Sequence, residues 1–580
     1  MSLFTANVSK RKFSIADCFI LVFIFILFYA ILKLGAGMNI PFSPTQQPDI
    51  ILSPSMLPYY AGRSLLRMFI AFAASLLFTF IYGYIAAKNK HAEKLLIPLL
   101  DILQSVPVLG FLSVTIIAFM AFFPGSLLGV ECASIFAIFT GQAWNMTFSF
   151  YHSLTTEPAD LQEAAAVLHL NWWQKLIKLE LPVAMISLVW NGMMSFGGGW
   201  FFLAASEAIS VLGENIHLPG VGSFLAAAVE AGDMDAIFYS IITMLIMILL
   251  VDQLFWRPLV VWSQKFKLEL SEATDLPSSF VYDLMQRSII IRLINEWTLT
   301  PLGNAINYSL DHVAKFSQSA SKGIKMQTHL RWLAYVPELC FAAWVIYSLA
   351  GPAQEAFEML AATDASEFIA ILQLGFYTFL RVMIALVLGL IWTIPLGVKI
   401  GLTPKLSKFL QPIIQIAASF PANMLFPFII LLFVKYNVNF QWGSIALMML
   451  GTQWYILFNV IAGASSIPND LLEASAIFGI KGWQKWKSVI LPSIFPHLVT
   501  GLITASGGAW NASIVAELVS WQGKNLIATG LGAYISQVTT AGDWPKIVLG
   551  ITVMCIFVVI INRFVWRRLY DLAEVKYHLN

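Results

Sequence analysis

Apolar runs separated by short polar connections fill this chain from end to end. A helix needs roughly 20 apolar residues to cross a bilayer. On that measure the runs predict spans over 15–34, 64–87, 97–121, 133–154, 183–212 and 236–256. A second set follows over 332–351, 376–398, 410–434, 443–464, 493–519 and 546–565. The pattern predicts an all-α polytopic membrane protein with about 12 transmembrane helices. An even number of crossings puts both termini on one side. The run from Ile15 to Leu34 follows a basic start, as a signal peptide does. It is too long for a typical signal core and lacks a clean cleavage site, so it reads as a retained first span.

The two sets of spans repeat one another. Arg67, Gly83, Pro98 and Pro107 match Arg381, Gly397, Pro412 and Pro421 at an offset of 314. From Gly141/Gly451 onward the offset is 310. It holds for Trp144/Trp454, Pro158/Pro468, Asp160/Asp470, Trp200/Trp510, Glu207/Glu517, Gly220/Gly530, Gly222/Gly532, Asp233/Asp543 and Trp256/Trp566. A constant offset over so long a stretch indicates duplication. Each unit has six spans, so both enter the membrane the same way, as a parallel repeat about an axis along the membrane normal. A pathway between the halves is the expectation. The boundaries read as 1–61 (first helix and outer segment), 62–257 (first core), 258–331 (linker), 332–373 (seventh helix and outer segment) and 374–580 (second core and tail).

Composition supports a membrane assignment and removes several alternatives. The chain is 58% hydrophobic and 11% charged, with a mean hydropathy of +0.76, whereas soluble domains are about a quarter charged. The net charge of +2 says little about partners, but its distribution is informative. Cations gather in 88–94, in 257–331, around Lys399, Lys405 and Lys408, and in the tail, which makes that face cytoplasmic. No basic surface stands clear of these loops, so nucleic-acid binding has no support. Cys18, Cys132, Cys340 and Cys555 show no metal-ligand spacing, and the eight histidines form no HxxxH pair. No GxxxxGK[ST], HExxH or GxSxG sequence occurs.

The chemistry with the clearest pattern lies in two cytoplasmic loops. "EAAAVLHLNWWQKLIKLELP" (163–182) aligns with "EASAIFGIKGWQKWKSVILP" (473–492), with eight of 20 positions identical. Pro158 and Asp160 start a helix, and Glu163 suits its positive end. Ala164, Ala165 and Ala166 extend it with a smooth surface. Leu161, Ala165 and Leu168 fall on one face. A break follows near His169 to Asn171, and a second helical run ends at Pro182. The second copy has Asp470, Glu473, Ala474, Ser475 and Gly479 at the matching places. Taken singly, such a helix is either an ordinary amphipathic loop or a docking element that enters a groove. Two copies at one place in two repeats favour docking.

These loops resemble the EAA loop of the permeases of binding-protein-dependent ABC importers. "GGGW…EAIS…LPGVGSFL" (197–225) and "GGAW…ELVS…ATGLGAYI" (507–535) resemble the fifth-span region of the nitrate/sulfonate/taurine/bicarbonate branch. The resemblance covers about 62–270 and 374–576, and it implies two fused copies of the type I ABC-importer permease fold. It also implies two separate cytoplasmic ABC ATPases that bind the loops and carry ATP and Mg, with no cofactor on this chain. An extracytoplasmic solute-binding protein would dock on outer segments such as 35–62, 213–235, 352–374 and 520–545. The implied solute is a small anion. The first loop departs from the family pattern in having His169 where Gly479 stands in the second. Glycine accepts positive φ there, and histidine tolerates it better than most residues, so the first turn is expected to survive.

Polar residues inside the spans supply the remaining candidates. Arg67, Arg381, Glu207 and Glu517 either pair to hold the outer rim or form a gate or solute contact. Gln142, Asn145, Gln453 and Asn459 could line a polar path in the fourth spans. In the linker, "DLMQRSIIIRLINEW" (283–297) reads either as a helix on the lipid surface or as a plain connection. A secondary active transporter with two parallel six-helix halves is the alternative function, and it leaves the paired loops unexplained.

Overall fold

The computed structural model describes residues 15–43, 48–211, 214–266, 278–323, 365–521 and 524–576, with isolated positions between 343 and 358. The expected span 332–351 falls outside these stretches.

The first half runs α1 (Ile15–Ala36), α2 (Leu57–Lys88), α3 (Lys90–Ser105), α4 (Val108–Phe122), α5 (Leu128–Thr155) and the short α6 (Ala159–Val167). Then come α7 (Trp172–Glu207), a hairpin of β1 (Ala208–Val211) and β2 (Glu214–His217), α8 (Val221–Ala231) and α9 (Met234–Phe266). The linker forms α10 (Phe280–Arg287) and α11 (289–323). The second half repeats the order from the second span onward. It runs α12 (Ala365–Gly401), α13 (Pro404–Ser419), α14 (Ala422–Lys435), α15 (Phe440–Ser465), the short α16 (Asn469–Ile477) and α17 (Gly482–Ala516). A hairpin of β3 (Leu518–Trp521) and β4 (Lys524–Ile527), α18 (Leu531–Ala541) and α19 (Trp544–Ala573) complete it. Among the described residues, seven helices are long and apolar enough to cross a membrane, or nine if each bent pair is one crossing.

The bent pairs are the expected spans 97–121 and 410–434. Each is broken: α3 meets α4 at 88° and α13 meets α14 at 82°. The cause is local. Pro107 and Pro421 push the preceding residue out of the helical region, and Val106 and Phe420 accordingly sit at ψ 123° and 126°. Two of the prolines that mark the repeat are therefore its bends.

Other prolines leave their helices continuous. The run expected to end at Pro182 instead continues from Trp172 to Glu207. A widened π turn at Leu176–Glu180 comes just before Pro182, where the missing N–H and the ring would otherwise strain the ladder. The same arrangement precedes Pro492 (Trp486–Ile490), Pro258 (Asp252–Trp256) and Pro301 (Asn295–Leu299). The two hairpins are a further difference, because the pattern placed 208–212 and 518–519 at the ends of spans. Each pairs antiparallel, Ala208 with His217 and Leu518 with Ile527. In the linker, the stretch 283–297 is not one helix, since the chain breaks at Ser288.

Within each half the second, fourth and fifth spans pack side by side: α2, α5 and α7, then α12, α15 and α17. Trp200, Trp256, Trp510 and Trp566 are buried in these cores. Trp256 meets Phe72 and Phe196 edge-on, with ring centroids 5.4 and 5.6 Å apart. Across the seam the contacts are reciprocal. α4 packs on α17 and α19, and α13 packs on α7 and α9. The bent span of each half thus rests on the fifth and sixth spans of the other, as a twofold relation requires. Gly197, Asp252, Gln415 and Ser419 line a small cavity at this seam.

Candidate functional site

The paired loops share one shape. α6 and α16 each end in a Schellman turn. Leu170 N donates to Ala165 O (3.1 Å) and His169 N to Ala166 O (3.0 Å); Ile480 N donates to Ser475 O (2.9 Å) and Gly479 N to Ala476 O (3.1 Å). That turn needs a left-handed residue, and His169 has φ 48° where Gly479 has φ 67°. The next helix in each copy runs without interruption into the fifth span. A push on either loop is therefore delivered to the helix that borders the seam.

Asp160, Glu163, Asp470 and Glu473 are exposed on the short helices, as is Ala164, while Ala474 is half-buried. Ala165 and Ser475 turn inward, and the Ser475 hydroxyl donates to Leu472 O at 2.7 Å. Leu168 does not join Leu161 and Ala165 on an inner face. It lies in the turn beyond the helix, where the reversal at His169 sends it outward. The loop tips are consequently apolar and open. Val167 and Leu168 are 76% and 69% exposed, and Ile477 and Phe478 are 82% and 79% exposed.

His169 is itself exposed. Replacing it with glycine relieves a positive-φ cost of about 1–2 kcal/mol and adds a flexibility cost of about 0.5–1 kcal/mol. The His169→Gly chain is expected to unfold within a few degrees of the wild type, read as its thermal midpoint.

The second constellation is buried. Arg67 on α2 donates through Nε to Glu131 (2.5 Å), through Nη1 to Glu207 (2.7 Å) and through Nη2 to Glu131 (2.8 Å) and Pro219 O (3.0 Å). Arg63 also donates to Glu131. Glu207 further accepts from Ser64 Oγ (2.5 Å) and Gly222 N (2.6 Å). Both arginines and both glutamates are fully buried. Such charges persist in an apolar interior only when paired and hydrogen-bonded.

In the second half Arg381 donates to Glu517 (2.9 Å) and to Thr529 O (2.9 Å), and Glu517 accepts from Thr378 Oγ1 (2.8 Å) and Gly532 N (2.8 Å). Ser64/Thr378, Arg67/Arg381 and Glu207/Glu517 correspond. At the offsets of 314 and 310, however, Arg63 and Glu131 are replaced by Tyr377 and Gln441. One cation and one anion are exchanged together, so the buried cluster stays neutral in each half. Gln441 takes the place of Glu131 by accepting from Arg381 Nη2.

Sequence reasoning missed Arg63 and Glu131. The fourth span was placed from 133, but α5 starts at Leu128, which puts Glu131 in its first turn. Gly220 explains the close approach of Glu207. A Cβ there would lie 2.3 Å from the carboxyl carbon. The Gly220→Ala chain is expected to lose about 1–3 kcal/mol of stability through overpacking, read as a lower thermal midpoint.

Three of the other candidates bond within their own halves. Gln142 is buried, with its amide on Met68 Sδ at 3.6 Å. Gln453 accepts from Trp392 Nε1 at 3.1 Å. Asn459 donates to Tyr455 O on its own helix at 2.8 Å. Asn145 is half-buried on α5. Polar residues at the seam are different ones. Gln415 Nε2 donates to Asp252 Oδ1 (3.3 Å), and Asn511 Oδ1 accepts from Val108 N at the bend (2.8 Å). Asp252, an acid inside a predicted span, carried a signal that could have found it.

Comparison with known proteins matches the same two units. The family model described as "Binding-protein-dependent transport system inner membrane component" matches residues 79–255 and again 385–577. The chain is similar to the nitrate import permease protein NrtB of Synechococcus elongatus, 27% identical over 162 residues, covering 28% of this chain and 54% of that protein. It is also similar to the taurine transport system permease protein TauC of Escherichia coli, 27% identical over 164 residues, covering 28% and 58%. A third likeness is to the bicarbonate transport system permease protein CmpB of Synechocystis sp., 31% identical over 123 residues, covering 21% and 42%. The chain thus spans about half the length of the curated relatives it matches.

Proposed function

Because the chain belongs to the family of inner-membrane components of binding-protein-dependent transport systems, matched by its model over more than half its length, we propose that it is the permease subunit of an ATP-driven importer and forms the solute pathway between its two halves. Both permease units lie on one polypeptide, in the inner membrane of a prokaryote, with both termini cytoplasmic. Two separate ABC ATPases bind the loops that contain Glu163–His169 and Glu473–Gly479, and ATP and Mg reside on them. A solute-binding protein delivers solute on the opposite face. Closure of the ATPase pair moves the loops, and α7 and α17 carry that motion to the seam.

The observation that carries this reading is the pair of loops. Each has a short helix, a left-handed turn, an open apolar tip and a direct helical connection to the fifth span. The solute class, a small anion such as nitrate, a sulfonate or bicarbonate, rests on the named relatives and on the resemblance. Arg67 and Arg381 are not proposed as its binding groups, because carboxylates, carbonyls and an amide already engage them.

The test is reconstitution of the chain in proteoliposomes with its cognate ATPases and binding protein. Uptake of a labelled anion is expected to require ATP. Uptake that follows an ion gradient and ignores ATP would overturn the proposal in favour of a secondary transporter.

A further inference from the structure

The two loops share a shape but not a setting. In the first, three side chains beyond the turn are engaged by the linker helix α11. Asn171 Nδ2 and Gln174 Nε2 both donate to Asp311 Oδ1, at 2.5 and 2.8 Å, and Trp173 Nε1 donates to Asn307 Oδ1 at 3.2 Å. Asn307, Asp311 and Lys315 follow one another at i, i+4 spacing along one face, and Lys315 Nζ holds Asp311 at 2.7 Å. The Lys315 ammonium and the Asn171 amide keep the Asp311 carboxyl below its usual range.

α11 is tied at its other end as well. Asp17 of α1 accepts from Ser288 Oγ (2.7 Å) and from Ile289 N (2.7 Å), capping the start of α11. About 30 Å of helix separates that cap from Asp311.

Among the described residues, the second loop has no such engagement. The matching residues are Lys481, Trp483 and Gln484. All three are exposed, Trp483 by 73%. The capping box of Asn171 is absent at Lys481, and a second left-handed glycine, Gly482 at φ 56°, follows Gly479. Ion pairs add to the contrast. Glu180 pairs with Lys88 (2.7 Å) and Lys175 (3.6 Å), and Glu157 pairs with Lys175 (3.4 Å). In the second half Glu180, Lys88 and Glu157 become Ile490, Leu402 and Ile467.

We propose that α11 is a strap on the first loop, with Asp311 its positioning residue, so that the two ATPase-facing loops move with unequal freedom. The strap must ride with the first loop or release it during each cycle, whereas the second loop swings on two left-handed residues. The proposal rests on reading the loops as ATPase contacts.

Two measurements on the full chain test it. Hydrogen exchange reads the amides of 171–175 and 481–485 directly, without any partner. Asp311→Ala is expected to speed exchange in 171–175 by about tenfold, the worth of a charge-assisted hydrogen bond, and to leave 481–485 unchanged. Asp311→Glu is expected to restore most of the protection. Unchanged exchange in Asp311→Ala would overturn the strap. In the reconstituted importer, solute moved per ATP hydrolysed is expected to fall severalfold in Asp311→Ala and to recover in Asp311→Glu. An unaltered ratio in Asp311→Ala would overturn the positioning role. ATP-independent uptake by the wild type would instead defeat the transport reading beneath it, and the exchange measurement tells that failure apart.

Discussion

The Arg67→Leu chain is expected to lose about 3–5 kcal/mol of stability, because deletion leaves the buried Glu207 carboxylate without a cation and takes from Glu131 one of its two guanidinium partners. Glu131 would keep only Arg63, and Glu207 would keep Ser64 and the Gly222 amide. Arg381→Leu strands Glu517 alone, since Gln441 is neutral, so its loss should be smaller. Thermal midpoints of the purified chain in detergent read both.

The second half also supplies a control. Arg63→Tyr with Glu131→Gln copies its neutral arrangement into the first half. The double variant is expected within about 1 kcal/mol of wild type. Glu131→Gln alone leaves Arg63 buried without a carboxylate and should cost more. The coupling between the two changes should reach about 1–3 kcal/mol. Additive losses would show that the two positions do not act as a pair.

On the proposed reading of the loops as ATPase contacts, charging their tips is expected to weaken ATPase binding and leave the chain folded. Leu168 and Phe478 are 69% and 79% exposed, and surface changes of this kind shift stability by only about 0.5 kcal/mol. An apolar anchor in a partner's groove is worth about 2 kcal/mol or more, and an introduced carboxylate must also be desolvated there. Leu168→Asp or Phe478→Asp should therefore weaken ATPase binding by roughly 30-fold each, and the pair by about a thousandfold. Pull-down of the ATPases on the immobilised permease checks this. Retained binding by the double variant would remove the tips from the interface.

These sites were legible in the sequence to different degrees. The loops could be read because the signal was local and doubled: alanines, a helix start, and a residue that must turn left-handed. His169 fits that turn because the backbone demand is the same in both copies. Arg67 and Glu207 stood out as polar groups in apolar runs, each with a twin.

Arg63 and Glu131 escaped because their twins are tyrosine and glutamine, so no repeat flagged them. Their meaning lies in a contact 68 residues apart in the chain. The bends at Pro107 and Pro421 escaped for another reason. A hydropathy window sums apolarity and cannot sense direction. The hairpins were absorbed into spans because Ile209, Val211 and Val519 read equally as helix or strand in short runs. The strap could not be read at all, since it needs Asp311 to meet Asn171 across the fold.

The matched exchange of Arg63 and Glu131 for Tyr377 and Gln441 also bears on how such a pathway can change. In a pair of identical subunits every substitution is made twice. A residue near the dyad must then suit its own copy as well as its neighbour. Joined end to end, the halves are released from that condition. One copy can give up a charge and its counter-charge while the other keeps them, and Asn511 can hold one bend while Phe201 occupies the matching place on the other side. Fusion thus lets a symmetric passage acquire sides that differ.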